Sequence, residues 1–327
     1  MTGLATSPAD ILHFLRDRGD DGQDTILVTL AAIEGSSPRA LGTQMAIAAN
    51  GDYAGSFSGG CIEAAVVAEA LETLAVGTVR LVRFGAGSPY LDIRLPCGGG
   101  IDLLFTPRPD RAAIDRAIAH LDQRQPATLA LSAAGVCAHE ARSPTGWHGE
   151  DFMVTYVPRL RVVAIGQGEE LTATARLAHV FGAETMAFSP HERDVRALRP
   201  GGIAAETLGL RTARPAIHSD PWTAFVFLFH DRDWEEALIP WALGLPKFYI
   251  GALGSRVSHA ARNEMLRAAG VPCEAILALR SPVGLIPSTR DPAALAVSIV
   301  AEIIQEYTAD ANLAFAPDLA QVDAIQR

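Results

Sequence analysis

A chain of 327 residues with 49% hydrophobic and 20% charged residues can bury a sizeable core, and its length suits two domains. A formal net charge of −10 excludes a general nucleic-acid binder, which needs a cationic face. The densest apolar run, Ala224 to Phe229, falls far short of the ~20 residues of a membrane helix. The first twenty residues also lack the basic-then-apolar pattern of a secretory leader. The four cysteines, Cys61, Cys97, Cys137 and Cys273, contain no C-x-x-C pair and are too sparse for a disulfide framework. A cytoplasmic protein with no membrane span and no nucleic-acid partner is expected.

In chain order, Ser7-Pro8 opens a helix as cap and first turn, and Ile11, Leu12 and Leu15 give it an apolar face. Thr25 to Ile33 reads as a buried strand, halted by the loop Glu34-Gly35-Ser36-Ser37-Pro38-Arg39. Two strands, Thr43–Ala48 and Tyr53–Ser56, flank the tight-turn signal Asn50-Gly51. The run G-S-F-S-G-G-C-I-E, Gly55 to Glu63, leads into a helix through Leu74. A strand over Thr78–Phe84 and one over Ile101–Phe105 flank Leu95-Pro96-Cys97-Gly98-Gly99-Gly100. A helix near Arg111–Leu121 and short strands near Ala127–Leu131 and Phe152–Tyr156 complete the first half, with Ser143 to Gly149 turn-rich. Pro158-Arg159 marks the boundary.

The second half alternates strand and helix. Strands are expected over Arg161–Ile165, Glu184–Phe188, Ala224–Phe229 and Lys247–Ile250. Helices are expected from Gly168 to Phe181 and over Trp234–Leu243, Ser255–Ala268 and Pro292–Ile304. Such alternation implies a parallel, doubly wound sheet. The fold class is therefore α/β, with an N-terminal α+β domain followed by a Rossmann-like domain.

Several places could carry chemistry. Gly166-Gln167-Gly168 sits at a strand-to-helix turn, where glycines let a helix N-terminus meet a pyrophosphate. The fingerprint is incomplete: Leu171 stands where a third glycine belongs, and Glu169 and Glu170 add negative charge. The next strand ends in Ser189-Pro190, with no acidic residue for a ribose. A bare fold-defining turn is the competing interpretation. Gly254-Ser255-Arg256 suits a phosphate, or else is a simple helix cap with a solvated arginine. Cys61, placed at the start of a helix, would gain thiolate character from the dipole, while Cys97 precedes three glycines. Both could instead be small buried residues, but the glycines around them favour a functional role; Cys137 and Cys273, with no such setting, are expected to be packing residues. Ser36-Ser37-Pro38-Arg39 with Gln44 makes a candidate polar lip for an anion, and His230-Asp231 reads as a cap.

Together these motifs resemble the XdhC/CoxI family, the accessory factors of molybdenum hydroxylases, over nearly the whole chain. The resemblance rests on G-S-S-P-R (Gly35–Arg39), G-S-F-S-G-G-C-I-E (Gly55–Glu63) and C-G-G-G-I (Cys97–Ile101) in the first half. In the second half it rests on Y-I-G-A-L-G-S-R (Tyr249–Arg256), S-P-V-G-L-I (Ser281–Ile286) and A-V-S-I-V-A-E-I-I (Ala296–Ile304). The S-G-G-C form is closer to the CoxI-like branch, associated with carbon monoxide dehydrogenase-type enzymes. Family members commonly show G-x-G-H at the first turn of the second half; here Glu169 replaces the histidine.

The resemblance implies an XdhC/CoxI-type domain over residues 1–157 and a Rossmann-like domain over 158–327. It implies a chaperone and not a metabolic catalyst. Such a protein binds molybdenum cofactor (molybdopterin, or its cytosine dinucleotide form) and protects it during sulfuration. It then delivers the cofactor to a hydroxylase apo-enzyme of the xanthine dehydrogenase or carbon monoxide dehydrogenase type. The expected cofactor site is Arg39, Ser58, Gly59, Gly60, Cys61, Cys97, Gly98 and Gly99, with Gly254, Ser255 and Arg256 in the second half. Cys61 is the candidate molybdenum contact, sharing one cleft with Cys97. A cysteine desulfurase and a second copy of the chain are expected partners. NAD or NADP is not expected to bind. The rival functions are an NAD(P)-dependent oxidoreductase and a cofactor-free adaptor between hydroxylase and sulfur donor.

Overall fold

The computed structural model describes residues 7–88, 98–287 and 289–313. They fall into two compact units divided between Pro158 and Arg159.

In the first unit the Asp10 carboxylate accepts the Ser7 backbone N–H at 2.8 Å, which closes the start of α1 (Pro8–Asp20). Next come β1 (Thr25–Glu34), β2 (Gln44–Ala48), β3 (Tyr53–Ala54), α2 (Glu63–Val76), β4 (Arg80–Gly85), β5 (Gly100–Pro107) and α3 (Arg111–Asp122). The five strands form one antiparallel sheet in the order β3-β2-β1-β5-β4. Alternation along β1 sorts its side chains. Ile26, Val28 and Leu30 pack with Val66, Ala70 and Leu74 of α2. Leu27 and Ala31 face the other way, toward α1, α3 and a second sheet. That sheet is built from β6 (Ala127–Ser132), β7 (Gly135–His139), β8 (Gly146–His148) and β9 (Asp151–Tyr156), in the antiparallel order β7-β6-β9-β8. The expected α+β architecture is what forms. The turn-rich stretch between Ser143 and Gly149 also contains a short strand that was not expected, β8, held by three residue pairs to β9.

The second unit contains β10 (Arg161–Gly166), α4 (Gly168–Phe181), β11 (Glu184–Ser189), α5 (Glu192–Leu198), β12 (Ala204–Thr207) and β13 (Thr223–Leu228). It continues with α6 (Glu235–Leu243), β14 (Tyr249–Ala252), α7 (Arg256–Ala268), α8 (Cys273–Ala278) and α9 (Pro292–Leu313). All strand pairs are parallel, in the order β12-β11-β10-β13-β14, so the winding reverses between β10 and β13 as in a Rossmann sheet. Residues from α4, α5 and α9 cover one face and residues from α6, α7 and α8 the other. The expected parallel, doubly wound sheet is therefore present. Strands β10, β13 and β14 are buried on both faces, which is why β13 reads as a continuous apolar run.

Candidate functional site

Strand direction gathers the first-unit motifs. Glu34, the last residue of β1, pairs with Gly100, the first of β5, and Gly85, the last of β4, pairs with the same Gly100. β2 enters the sheet at that end, and β3 leaves it there into Gly55. A Cβ on Gly55, whose φ is +95°, would lie 2.6 Å from the Gln44 carbonyl oxygen, so only glycine fits. The loops 35–43, 55–62 and the glycines before β5 thus share one end of the sheet. Gly99 is buried against the first of these loops: a Cβ there would sit 2.5 Å from the Ser36 carbonyl oxygen. Gly99 is accordingly a packing glycine and cannot be a ligand contact through open backbone.

The 56–62 loop is built around Glu63, a residue that sequence reasoning left without a role. Its side chain is buried. One carboxylate oxygen accepts from Ser56 Oγ at 2.7 Å and from the Phe57 and Ser58 backbone N–H groups at 3.0 and 2.8 Å. The other accepts from Ser58 Oγ at 2.7 Å and from the N–H groups of Gly60 and Ile62 at 2.8 and 3.2 Å. Burial alone would raise the Glu63 pKa, but these donors outweigh it and bring the pKa down to about 2. The helix N-terminus expected to attract an anion therefore already holds one from its own chain.

That geometry corrects two expectations. Helix α2 begins at Glu63 with Ile62 as its cap residue, so Cys61 lies in the loop before it and not in the first turn. Ser58 is fully engaged: its hydroxyl donates to Glu63 and accepts the Cys61 and Ile62 N–H groups at 2.9 and 3.1 Å. What the loop does present is Gly59, Gly60 and an exposed Cys61. A Cβ on Gly59, Gly60 or Gly98 would meet nothing within 4 Å, so their backbones face open space. Cys97 lies outside the described residues, and so does its expected cleft with Cys61. Arg39 is exposed and has no ion-pair partner among the described residues; its backbone N–H bonds Ser37 Oγ at 3.2 Å. Gln44 is buried, donates to Thr29 Oγ1 at 3.0 Å and accepts from the Tyr156 hydroxyl, so it belongs to the core and not to a polar lip. Cys137 and Cys273, expected as packing residues, are exposed.

In the second unit the Gly166-Gln167-Gly168 turn is equally self-contained. A Cβ on Gly166 would lie 2.4 Å from the Leu228 carbonyl oxygen, so this glycine serves the close approach of β10 and β13. The Gly168 N–H donates to the buried Asp194 carboxylate at 2.9 Å, as does Ser189 Oγ at 2.8 Å. Glu169 and Glu170 occupy the first turn of α4, and His230 Nε2 lies 3.2 Å from Glu170. Asp231 caps the short turn after β13 by accepting the Asp233 N–H at 3.0 Å.

At the end of β14, Ser255 caps α7 by accepting the Ser258 N–H at 3.2 Å, and Arg256 is exposed. Beneath them the buried Arg262 clamps Glu235 through two bonds of 2.8 and 2.7 Å. It also donates to Ser281 Oγ and the Leu253 carbonyl, each at 2.7 Å. The remaining second-half motifs interlock at Glu302, which accepts from the Tyr249 hydroxyl at 2.8 Å and the Gly284 N–H at 2.6 Å. Burial, and then the neighbouring Glu302 carboxylate, push the Tyr249 hydroxyl pKa far above the usual range.

Comparison with known proteins decides the family. Residues 20–85 match the model described as the XdhC and CoxI family, and residues 162–303 match the XdhC Rossmann domain. A relative in Escherichia coli (strain K12), the molybdenum cofactor insertion chaperone PaoD, is 36% identical over 299 residues, covering 90% of this chain and 86% of the relative. The chain belongs to the XdhC and CoxI family. A solved structure from Bacillus halodurans, described as a xanthine dehydrogenase, aligns with a TM-score of 0.71 over 91% of this chain and 96% of that one. At 22% identity that likeness is one of fold. Among the described residues no helix of this XdhC/CoxI protein is long and apolar enough to cross a membrane. No group of three or more His, Cys, Asp or Glu side chains there could hold a metal ion.

Proposed function

We propose that this XdhC/CoxI protein binds molybdenum cofactor at the loop end of its N-terminal sheet and delivers it to a molybdenum hydroxylase apo-enzyme. The observation that carries the reading is the gathering, at one end of the sheet, of bare glycine backbone, an exposed thiol and an exposed arginine with no ion-pair partner among the described residues. A phosphate-bearing pterin suits that set. Gly59, Gly60 and Gly98 leave room for close approach, Arg39 supplies a cation, and a soft sulfur at Cys61 suits molybdenum. The bound cofactor would supply the redox centre of the client; this chain's residues hold and shield it and turn over no substrate. Gly254, Ser255 and Arg256, at the start of α7 in the second unit, belong to the same reading as a second place for a phosphate. The cytosine dinucleotide form of the cofactor, a cysteine desulfurase and a second copy of the chain belong to the same reading.

The test is cofactor binding by the purified chain. Cys61→Ala should weaken binding about tenfold, the loss of one good contact, whereas Cys137→Ala should leave it unchanged. Equal binding by the two variants removes Cys61 from the site. Capture of the hydroxylase without any cofactor binding would make the protein an adaptor.

A further inference from the structure

β8 carries an exposed aromatic next to the loop end of the first sheet. Trp147 is 44% exposed, yet its ring is fixed: the indole N–H donates to the Ala31 carbonyl at 3.0 Å, and Phe152 packs edge-on at 5.2 Å between centroids. Two more exposed apolar side chains follow in the chain: Ile33, two residues after the Ala31 that holds the indole, and Leu41 in the next loop. The loop and β8 touch directly. Leu41 Cδ2 lies 3.9 Å from where a Gly146 Cβ would be, and a Cβ on Gly42 would strike the Thr145 methyl at 2.4 Å. Arg39 stands two residues before Leu41 in the same loop.

We propose that Trp147 is a stacking platform for a planar heteroaromatic ring whose anionic arm is met by Arg39. The inference rests on the reading above and assigns the ring of the cofactor its place. An indole whose N–H is already satisfied offers only its π surface, which suits a flat ring. Three exposed apolar side chains are far fewer than the roughly 20–30 residues a side of a standard protein interface, so the patch fits a small ligand.

A titration of the full chain with pterin-6-carboxylate tests it, following both tryptophan quenching and pterin anisotropy. Wild type should show saturable binding with quenching. Trp147→Phe should lose most of the quenching and keep its affinity within about threefold, and Trp147→Ala should lose about tenfold in affinity, the usual effect of removing a stacking ring. Arg39→Ala should weaken the carboxylate while leaving unsubstituted pterin unaffected. Thermal unfolding of each variant separates loss of the platform from loss of the fold, and Trp147→Phe retains the packing on Phe152. Absence of saturable binding by wild type, or wild-type affinity in folded Trp147→Ala, overturns the proposal. If molybdenum cofactor itself binds wild type and Trp147→Ala equally, the platform falls and the cofactor reading stands. If it binds neither while the pterin titration behaves as expected, the platform stands and the cofactor reading falls.

Discussion

Glu63 shows how one side chain sets the shape of a glycine-rich loop. Six donors converge on its carboxylate, so ionisation is coupled to the folded loop. Its folded pKa of about 2 lies below the ordinary value of 4.5. A depressed carboxylate contributes stability that is complete above the unfolded pKa and is lost as pH falls through the folded one. Glu63→Gln places an amide NH₂ against groups that are themselves donors. It should cost about 2–3 kcal/mol at pH 7 in urea unfolding. The gap between wild type and variant should shrink as pH drops from about 4.5 to 2, where wild type becomes protonated and resembles the variant. A gap that stays constant over that range would mean that the charge of Glu63 does not hold the loop. Nothing in the spacing of G-S-F-S-G-G-C-I-E announced this role, because it depends on the backbone curling until distant N–H groups face one oxygen pair. The available signal was an acidic residue in the first helical turn closing a glycine-rich loop, where a helix start favours negative charge.

At the level of elements, long segments with strong periodicity were legible and short ones were not. Helices α1, α3, α4 and α7 and strands β1, β10 and β13 follow from their apolar patterns and caps. The seven-residue α5, the four-residue β12 and the six-residue α8 went unread, since each buries only a few side chains and relies on neighbours for its form. Three-residue β8, inside a turn-rich stretch, escaped for the same reason, and with it Trp147. The tie between α6 and α7 was equally hidden: Arg262 and Glu235 stand 27 residues apart, and their chemistry reads as surface charge. In the fold they are 1% and 0% exposed and bonded in a fork. Arg262→Leu leaves Glu235 buried without its cation, so chemical denaturation of the variant should show a loss of about 3–5 kcal/mol. Adding Glu235→Leu should recover a large part of that loss, because two apolar residues remove the desolvation penalty together. A double variant no more stable than the single one would show that Arg262 also fixes the segments at Leu253 and Ser281 through its other bonds.

Across the whole molecule, the two glycine-rich helix starts share one device: each is occupied by an internal carboxylate, Glu63 in the first unit and Asp194 in the second. Net charge of −10 sets the same tone over the full chain. For the second unit the consequence is sharp, because its sheet order and its strand-to-helix glycines are those of a dinucleotide fold while its α4 N-terminus is not free. A pyrophosphate brought to Gly168 would meet Asp194, Glu169 and Glu170. One such charge pair at about 4 Å costs about 4 kcal/mol at the effective dielectric near a protein surface, roughly a thousandfold in affinity. Ser189 at the end of β11 offers no carboxylate to a ribose and is already bonded to Asp194. Isothermal calorimetry with NADH and NADPH at concentrations up to about 1 mM should therefore show no saturable heat, a limit corresponding to binding weaker than about 4 kcal/mol. Tight, one-to-one binding of either dinucleotide would require Asp194 to leave the Gly168 N–H, and it would move the protein from cofactor delivery to NAD(P)-dependent oxidoreduction.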